Sequence, residues 1–333
     1  MQFPVDFLRR RGVLAVLGLA LLATPVRAQD VAASALARVR FASIEEGRAL
    51  LGADDAWIAA TSDFQRAATA GVRPPMSRRA FQAYLASRVR SWPAAAVRRW
   101  QAAVAAVMAR ASALGVPLPP ELLIINTDGR DAANAPYTRG HAIVLPTAAL
   151  LAGNRQMSDP FLIAHELFHV VSRHNPGLAD RLYAIIGFEP VEPLQWPVSW
   201  LPARIANPDA PLDRHAMRLA IDGRDTLVMP LLVARRTELG PGESFFDVMD
   251  VRLLEVTAAF GQPTLPVLRN GEPVWHSPER LAAYVARLGG NTGYIIHPDE
   301  TLADNFAQLL TGQPVNNPAL LREIEAVLQA PLR

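Results

Sequence analysis

Hydrophobic and polar positions divide this chain into a helical first third and a mixed remainder. From about residue 34 to residue 114, Ala, Leu, Val and Arg recur at helical spacing, with breaks at 71–75 and 92–93. This pattern predicts three to five helices. The Pro-rich run 115–120 then ends a helical N-terminal part, which we place at residues 29–115.

Two short apolar runs follow this break and predict buried strands at 122–125 and 141–145, with a polar loop between them. A helix is predicted from about 161 to 173, because Asp159-Pro160 is typical of a helix start and Asn175-Pro176-Gly177 of a stop. A second helix of this kind is predicted from 297 to 310, with Gly312 just past its end.

The chain between these two helices has a β-like pattern. Residues 226–235 and 245–258 predict strands, and Asn270-Gly271 predicts a tight hairpin within 267–274. The stretch 190–211 is rich in Pro and Trp and predicts irregular backbone. We therefore expect a β-rich insertion at about 212–276, inside a second part that covers 116–333.

Residues 1–28 have the layout of an export signal. Three arginines precede the apolar stretch 13–23, and a small-residue cleavage site, Val26-Arg27-Ala28, follows it. The apolar stretch is 11 residues long, too short for a lasting membrane anchor. We expect cleavage after Ala28 and a periplasmic or secreted protein; an uncleaved anchor or a buried helix is the alternative.

Composition narrows the classes of function. Half of the residues are hydrophobic and 19% are charged, which suits a globular chain with a large core. Residues 1–28 contain four arginines and one aspartate, so the remainder has 29 basic and 30 acidic residues and lacks the positive field of a nucleic-acid-binding protein. There is no Lys and no Cys, which excludes lysine chemistry, thiolate ligands and disulfides.

The segment His165-Glu166-Leu167-Phe168-His169 carries the strongest chemical signal. Two histidines four apart on a helix lie on one face, so both imidazoles can bind one metal ion. Glu166 points about 100° around the helix and can lie beside the ion without binding it. The surrounding residues are apolar, and polar groups in a buried helix are costly unless they are paired. The alternative is a chance pattern in a core helix.

A catalytic zinc ion needs three protein ligands and an open fourth position. A histidine six residues after His169 is one option, but position 175 is Asn. Glu300 is the better candidate for the third ligand, with Asp304 on the same helix face as the acceptor of a ligand histidine's N–H. The alternative is that this acidic pair simply belongs to a solvent-exposed first turn of the helix. The remaining candidates for the third ligand are His215, Asp222, His276 and His297.

The His165–His169 motif followed by Glu300-Thr301-Leu302-Ala303-Asp304 resembles the gluzincin metallopeptidases, with the subfamily unassigned. The resemblance implies an α+β, zincin-like fold and one Zn²⁺ per chain, bound by His165, His169 and Glu300. It also implies a peptide or protein substrate, Glu166 as the general base that deprotonates a zinc-bound water, and Asp304 as support for a ligand.

The resemblance also implies that the edge strand just before the metal helix binds the substrate backbone, and we assign this role to 141–145. An ordinary core strand is the equal alternative. A second polar group should stabilise the oxyanion. The candidates are Tyr294, His297, Tyr137 and Arg139. Their purely structural alternatives are a core position for Tyr294, a helix cap for His297 and loop-surface positions for Tyr137 and Arg139.

Two rival functions remain. The first is a zinc-binding envelope protein without catalysis, in which the insertion binds a partner; Glu166 argues against it, since a structural site needs no base. The second is an envelope scaffold in which the motif is accidental. The oligomeric state has no signature in the sequence.

Overall fold

The computed structural model describes Leu36, residues 38–152 and residues 157–331. The expected export signal at 1–28 lies outside this range. Among the described residues, no helix has both the length and the apolar character that crossing a membrane requires.

Five helices form the N-terminal part, within the predicted number. They are α1 (Ile44–Leu51), α2 (Ala56–Ala60), α3 (Asp63–Ala70), α4 (Arg78–Ser87) and α5 (Ala94–Ala113). The first four begin at Ser or Asp residues whose side chains accept a backbone N–H, which is the usual N-terminal cap. The predicted helical region also contains a strand, β1 (Val39–Phe41), which pairs with residues 122–124 far along the chain.

A four-stranded sheet follows, with β2 (Leu122–Asn126), β3 (Tyr137–Arg139) and β4 (Ala142–Leu145) added to β1. The strand order is β1-β2-β4-β3, and only β3 is antiparallel to its neighbour. The predicted strands at 122–125 and 141–145 are confirmed. However, β4 is not the edge strand that we expected: β3, which we predicted as loop, pairs with β4 and forms the edge.

Alternate residues of β2 and β4 face two different cores. Leu122, Ile124 and Ile143 pack into the larger core with α5, and Leu123 and Val144 pack into a smaller core with the N-terminal helices. Because both faces of the sheet are covered, its strands read as continuous apolar runs rather than as an alternating pattern.

Three helices come next: α6 (Thr147–Ala152), α7 (Asp159–His174) and α8 (Pro176–Ile185). Helix α7 is the predicted one, within a few residues at each end. Helix α8 was not predicted, because Asn175-Pro176-Gly177 looked only like a stop. Pro176 instead occupies the first turn of α8, where its missing N–H costs nothing.

An antiparallel sheet forms the β-rich insertion and begins at Phe188. Its strands are β5 (Phe188–Pro190), β6 (Arg204–Ile205), β7 (His215–Ile221), β8 (Arg224–Ala234), β9 (Met249–Ala259), β10 (Gln262–Pro266) and, after a hairpin, β13 (Trp275–His276). The strand predicted at 226–235 is confirmed as β8. The strand predicted at 245–258 is confirmed only from Met249, because Phe245–Val248 forms a helical turn, α9, capped by Ser244.

The hairpin predicted at Asn270-Gly271 is confirmed. It joins β11 (Leu268–Arg269) to β12 (Glu272–Pro273), and both turn residues have the positive φ of this turn type, 53° and 83°. Helices α10 (Ala282–Arg287), α11 (Pro298–Thr311) and α12 (Pro318–Gln329) complete the described chain. The architecture is a mixed one of helices and two main sheets, compatible with the α+β class.

Candidate metal centre

Helix α7 presents two histidines on one buried face. The Ser158 hydroxyl caps the helix by accepting the Phe161 N–H, and every residue from Phe161 to Ser172 is buried. The His165 and His169 rings lie one turn apart, with centroids 4.8 Å from each other. The local sequence therefore places both imidazoles at one point in the core.

Helix α11 brings acidic side chains to the same point. His297 caps its first turn by accepting the Asp299 N–H at Nδ1, and Gly312 ends it in the left-handed conformation, with φ 66°. Phe306 packs on Phe168, with ring centroids 5.4 Å apart, and so joins α11 to α7. The acids of the first turn lie where the helix dipole favours negative charge.

His165, His169 and Glu300 meet in a buried group that could hold a metal ion, with one ligand atom from each residue and all three within 4.8 Å of one another. Glu300 Oε2 lies 3.3 Å from His165 Nε2 and 3.5 Å from His169 Nε2. A tetrahedral zinc ion with bonds of about 2.0–2.1 Å separates its ligand atoms by about 3.3–3.4 Å. The observed separations fit this geometry.

A carboxylate holds the second nitrogen of each histidine. His165 Nδ1 lies 2.9 Å from Asp304 Oδ1, and His169 Nδ1 lies 2.6 Å from Asp299 Oδ2. These contacts keep the proton at Nδ1 and leave the Nε2 lone pair for a metal. We expected the role of Asp304 but missed that of Asp299, whose signal was its place beside Glu300.

The carboxylates of Asp304, Asp299 and Glu300 each accept a hydrogen bond from another side chain. The Thr292 hydroxyl donates to Asp304, and the Tyr183 hydroxyl donates to Asp299. Asn207 Nδ2 donates to Glu300 Oε1 at 2.6 Å, which leaves Oε2 facing the histidines. Sequence reasoning missed these donors, since each lies in a different element from its acceptor.

Glu166 lies beside this group without joining it. Its side chain is buried, and Oε2 has no hydrogen-bond partner among the described residues. One of its oxygens is within 4.8 Å of a His169 nitrogen and of an Asp209 oxygen. Burial, reinforced by the charge of Asp209, raises the pKa of Glu166 to about 8, so it can both accept and release a proton near neutral pH.

The site carries more negative than positive charge. Burial alone would lower the pKa of His169, but the carboxylates of Asp209, Glu300 and Asp299 outweigh it and raise that pKa to about 9. Burial would likewise raise the pKa of Glu300, yet the neighbouring His169 and His165 lower it. A group of buried carboxylates that stabilises positive charge in this way favours a bound cation.

Of the four residues expected to contact the oxyanion, only Tyr294 stacks on a ligand, with its ring centroid 6.0 Å from that of His165. It is 41% exposed, which places it at the mouth of the site. His297 is the cap of α11, and burial lowers its pKa to about 4, so it is neutral. The other two candidates have partners elsewhere: the Tyr137 hydroxyl donates to Asp131, and Arg139 Nε donates to Asp55.

The other candidates for the third ligand lie outside the group. His215 Nε2 contacts Asp180 at 2.8 Å, and His276 Nε2 contacts Glu255 at 2.8 Å. Asp222 lies in the β7–β8 turn with φ 50°. None of these, nor His297, belongs to a group that could hold a metal within the described part of the chain.

The centre is thus a buried group between two helices that could bind a metal ion, with the Glu166 carboxyl group beside it. The donor set is two imidazoles and one carboxylate, each oriented by a hydrogen bond. No protein-family model, curated protein or solved structure matches this chain.

Proposed function

We propose that this protein is a zinc-dependent peptidase of the gluzincin type, with a zincin-like α+β fold. The supporting observation is the separation of Glu300 Oε2 from the two Nε2 atoms, 3.3 and 3.5 Å, with Glu166 beside them. Three protein ligands of this kind are typical of catalytic zinc, whereas structural zinc sites are closed by four.

The chemistry of the donors supports zinc. Two neutral imidazoles and one carboxylate suit this borderline ion, whereas calcium and magnesium prefer oxygen ligands alone. The chain offers no thiolate that would bind zinc instead. His165, His169 and Glu300 would hold the ion, and Asp304 and Asp299 would orient the two imidazoles.

When bound, zinc supplies a Lewis acid that polarises a peptide carbonyl and acidifies water. Glu166 takes the proton of the attacking water and delivers it to the leaving amine, a role for which its raised pKa suits it. Although Tyr294 is 41% exposed, partial desolvation and the nearby charge of Glu300 raise its pKa, so its hydroxyl keeps its proton and can donate to the developing oxyanion at the mouth of the site.

We also propose that the protein is exported and works in the periplasm or outside the cell. The supporting observation is the order of a basic, an apolar and a small-residue region within residues 1–28, which is typical of an export signal. N-terminal sequencing of exported protein should give a chain that begins after Ala28, whereas an intact Met1 on membrane-bound protein would contradict it.

Metal analysis and a peptide-library assay test the function together. Protein purified without added metal should hold about one zinc per chain and cleave peptides. Glu166→Gln should keep its zinc and lose about 10²–10⁴-fold in cleavage rate, because an amide cannot accept the proton. Glu272→Gln, the same change at an exposed hairpin position, should behave like the parent.

Each failure identifies a different error. A chain that takes up no zinc even when zinc is added has no metal site, which leaves the scaffold alternative. Parental cleavage by the Glu166→Gln protein would remove Glu166 from its role. Tightly bound zinc without cleavage of any peptide would favour the non-catalytic, partner-binding alternative.

A further inference from the structure

Residues 207–211, which we call the crossing segment, run over the metal centre from the β-rich insertion. The segment connects β6 to β7, and both of these strands pair with β8, so the sheet holds it at each end. Just before it, the Trp57 indole and the Gln65 amide donate to the Ala206 carbonyl. The backbone is therefore fixed as it enters the cleft.

The crossing segment covers the outer edge of β3. The Thr138 backbone N–H and hydroxyl both donate to Asp209 Oδ1, at 2.7 and 2.6 Å. All three residues of β3 are at most 2% exposed. An extended peptide that added to this edge would need the Thr138 N–H for its own carbonyl. Asp209 thus occupies the hydrogen-bond position of a substrate.

The same segment contacts the ligand and the base. Asn207 binds Glu300, and an Asp209 oxygen lies within 4.8 Å of Glu166 and His169 ligand atoms. Because His169 Nδ1 is bound to Asp299, only its Nε2 remains to bind a cation. Asp209 therefore lies next to the base and His169, at the side of the group formed by His165, His169 and Glu300.

Cavities lie on both sides of the crossing segment. One of about 240 Å³ is lined by His297 and Asp299, and one of about 100 Å³ is lined by Tyr294 and Glu300. Pro208 and Asp209 form part of the wall of each. The segment thus forms a wall shared by two cavities, of which the smaller reaches Glu300.

Arg173, at the end of α7, fixes the crossing segment by hydrogen bonds. Its Nη2 donates to the carbonyls of Pro208 and Asp209, both at 3.1 Å, and to the Thr138 hydroxyl at 2.8 Å. These contacts link the crossing segment, β3 and the metal-binding helix.

We propose that the crossing segment is a built-in plug, in which Asp209 takes the place of a substrate carbonyl and keeps the site latent until the segment moves aside. This inference rests on the proposed peptidase function. Displacement would free the Thr138 N–H and remove a carboxylate that lies beside Glu166 and His169. An extended peptide could then add to β3.

Asp209→Ala tests the plug by three measurements on the full-length, zinc-loaded chain: acetohydroxamate affinity, hydrogen exchange of the Thr138 amide, and peptide cleavage. All three should rise, roughly 10- to 100-fold for affinity and cleavage, since charge-assisted hydrogen bonds to Asp209 are lost. Asp225→Ala removes a carboxylate that is 69% exposed, far from this segment, and should change none of them.

Two outcomes would overturn the plug. Unchanged affinity and unchanged exchange would make the segment a fixed wall of the cleft. Slower cleavage at unchanged hydroxamate affinity would make Asp209 a positioning residue. Higher affinity and faster exchange without any cleavage would support the plug and count against the peptidase proposal alone. If Asp209→Ala does not fold, Asp209→Asn, which keeps the side-chain shape without the charge, should shift affinity and exchange in the same direction by less.

Discussion

At the scale of single residues, the two ring nitrogens of each histidine in the centre have different roles. Nε2 of His165 and His169 faces Glu300, while Nδ1 is fixed by a carboxylate from the same helix as Glu300. Loss of a ligand and loss of a supporting carboxylate should therefore have different severity, because one removes a bond to the ion and the other only an orientation.

Zinc titration of Glu300→Ala, Asp299→Ala and Asp304→Ala should reveal this ranking. Glu300→Ala leaves two histidines and should lower zinc affinity the most. Asp299→Ala and Asp304→Ala should each lower it by about 10–100-fold, the usual effect of removing a partner of a ligand histidine.

His276→Ala is the matched control, because this histidine pairs with Glu255 in the distant sheet. It should bind zinc like the parent. If the folded Glu300→Ala protein retained parental affinity, Glu300 would not be a ligand; if His276→Ala lost affinity, the ion would lie elsewhere.

At the scale of elements, α11 determines where the acidic side chains lie, and its C-terminal end can be tested apart from the metal centre. Gly312 ends the helix with φ 66°, and a Cβ there would meet no atom within 4 Å. Gly312→Ala should therefore lower the free energy of unfolding by about 1 kcal/mol through backbone strain alone. Zinc affinity should not change, since Glu300 lies at the opposite end.

Gly177→Ala provides the comparison. This glycine lies in the first turn of α8 and has no positive φ, and a Cβ added to it would also meet no atom within 4 Å. Alanine should be neutral there or stabilise by up to about 1 kcal/mol. Urea unfolding of both variants measures the difference, and equal effects would contradict the role of the left-handed cap.

Elements whose ends carry local signals were predicted well. Helices α7 and α11 begin at Asp-Pro and His-Pro sequences, and the Asn270-Gly271 hairpin needs only its own two residues. Strands β1 and β3 were missed because each has three residues and depends on a partner elsewhere in the chain. The edge position of 141–145 failed for the same reason, since strand order is a long-range property.

At the scale of the whole molecule, a cation at this centre would join α7 and α11, which come from distant parts of the chain. Without it, the buried carboxylates repel one another. A chelator should therefore lower the thermal stability of the parent, by about 4 kcal/mol of unfolding free energy if free zinc had exceeded its dissociation constant 1,000-fold.

Thermal unfolding with and without chelator measures this contribution, and zinc added back should restore it. Glu300→Ala should show almost no response to the chelator, whereas Glu272→Gln should respond like the parent. A parent that loses its zinc without any loss of stability would contradict a link between the metal and the packing of the two helices.

The group that could bind a metal ion could be predicted from the sequence, but the crossing segment could not. His165, His169 and Glu300 follow patterns of residue type and spacing. Asp209 reaches Thr138 across 71 residues from a Pro-rich stretch without periodicity. Nothing in the spacing of that stretch indicates which of its polar residues enters the cleft, because the sheet that carries it sets the direction.

The long interval between the two motifs also determines the order in which the histidines and the carboxylates are synthesised. Asp299 lies 130 residues beyond His169, so both histidines leave the ribosome well before any carboxylate of α11. At synthesis rates of about 5–20 residues per second, this delay is on the order of ten seconds. During it, two imidazoles alone hold metal weakly. If a metal ion binds at this centre, its loading would therefore be a late step, completed only after Glu300 has been synthesised.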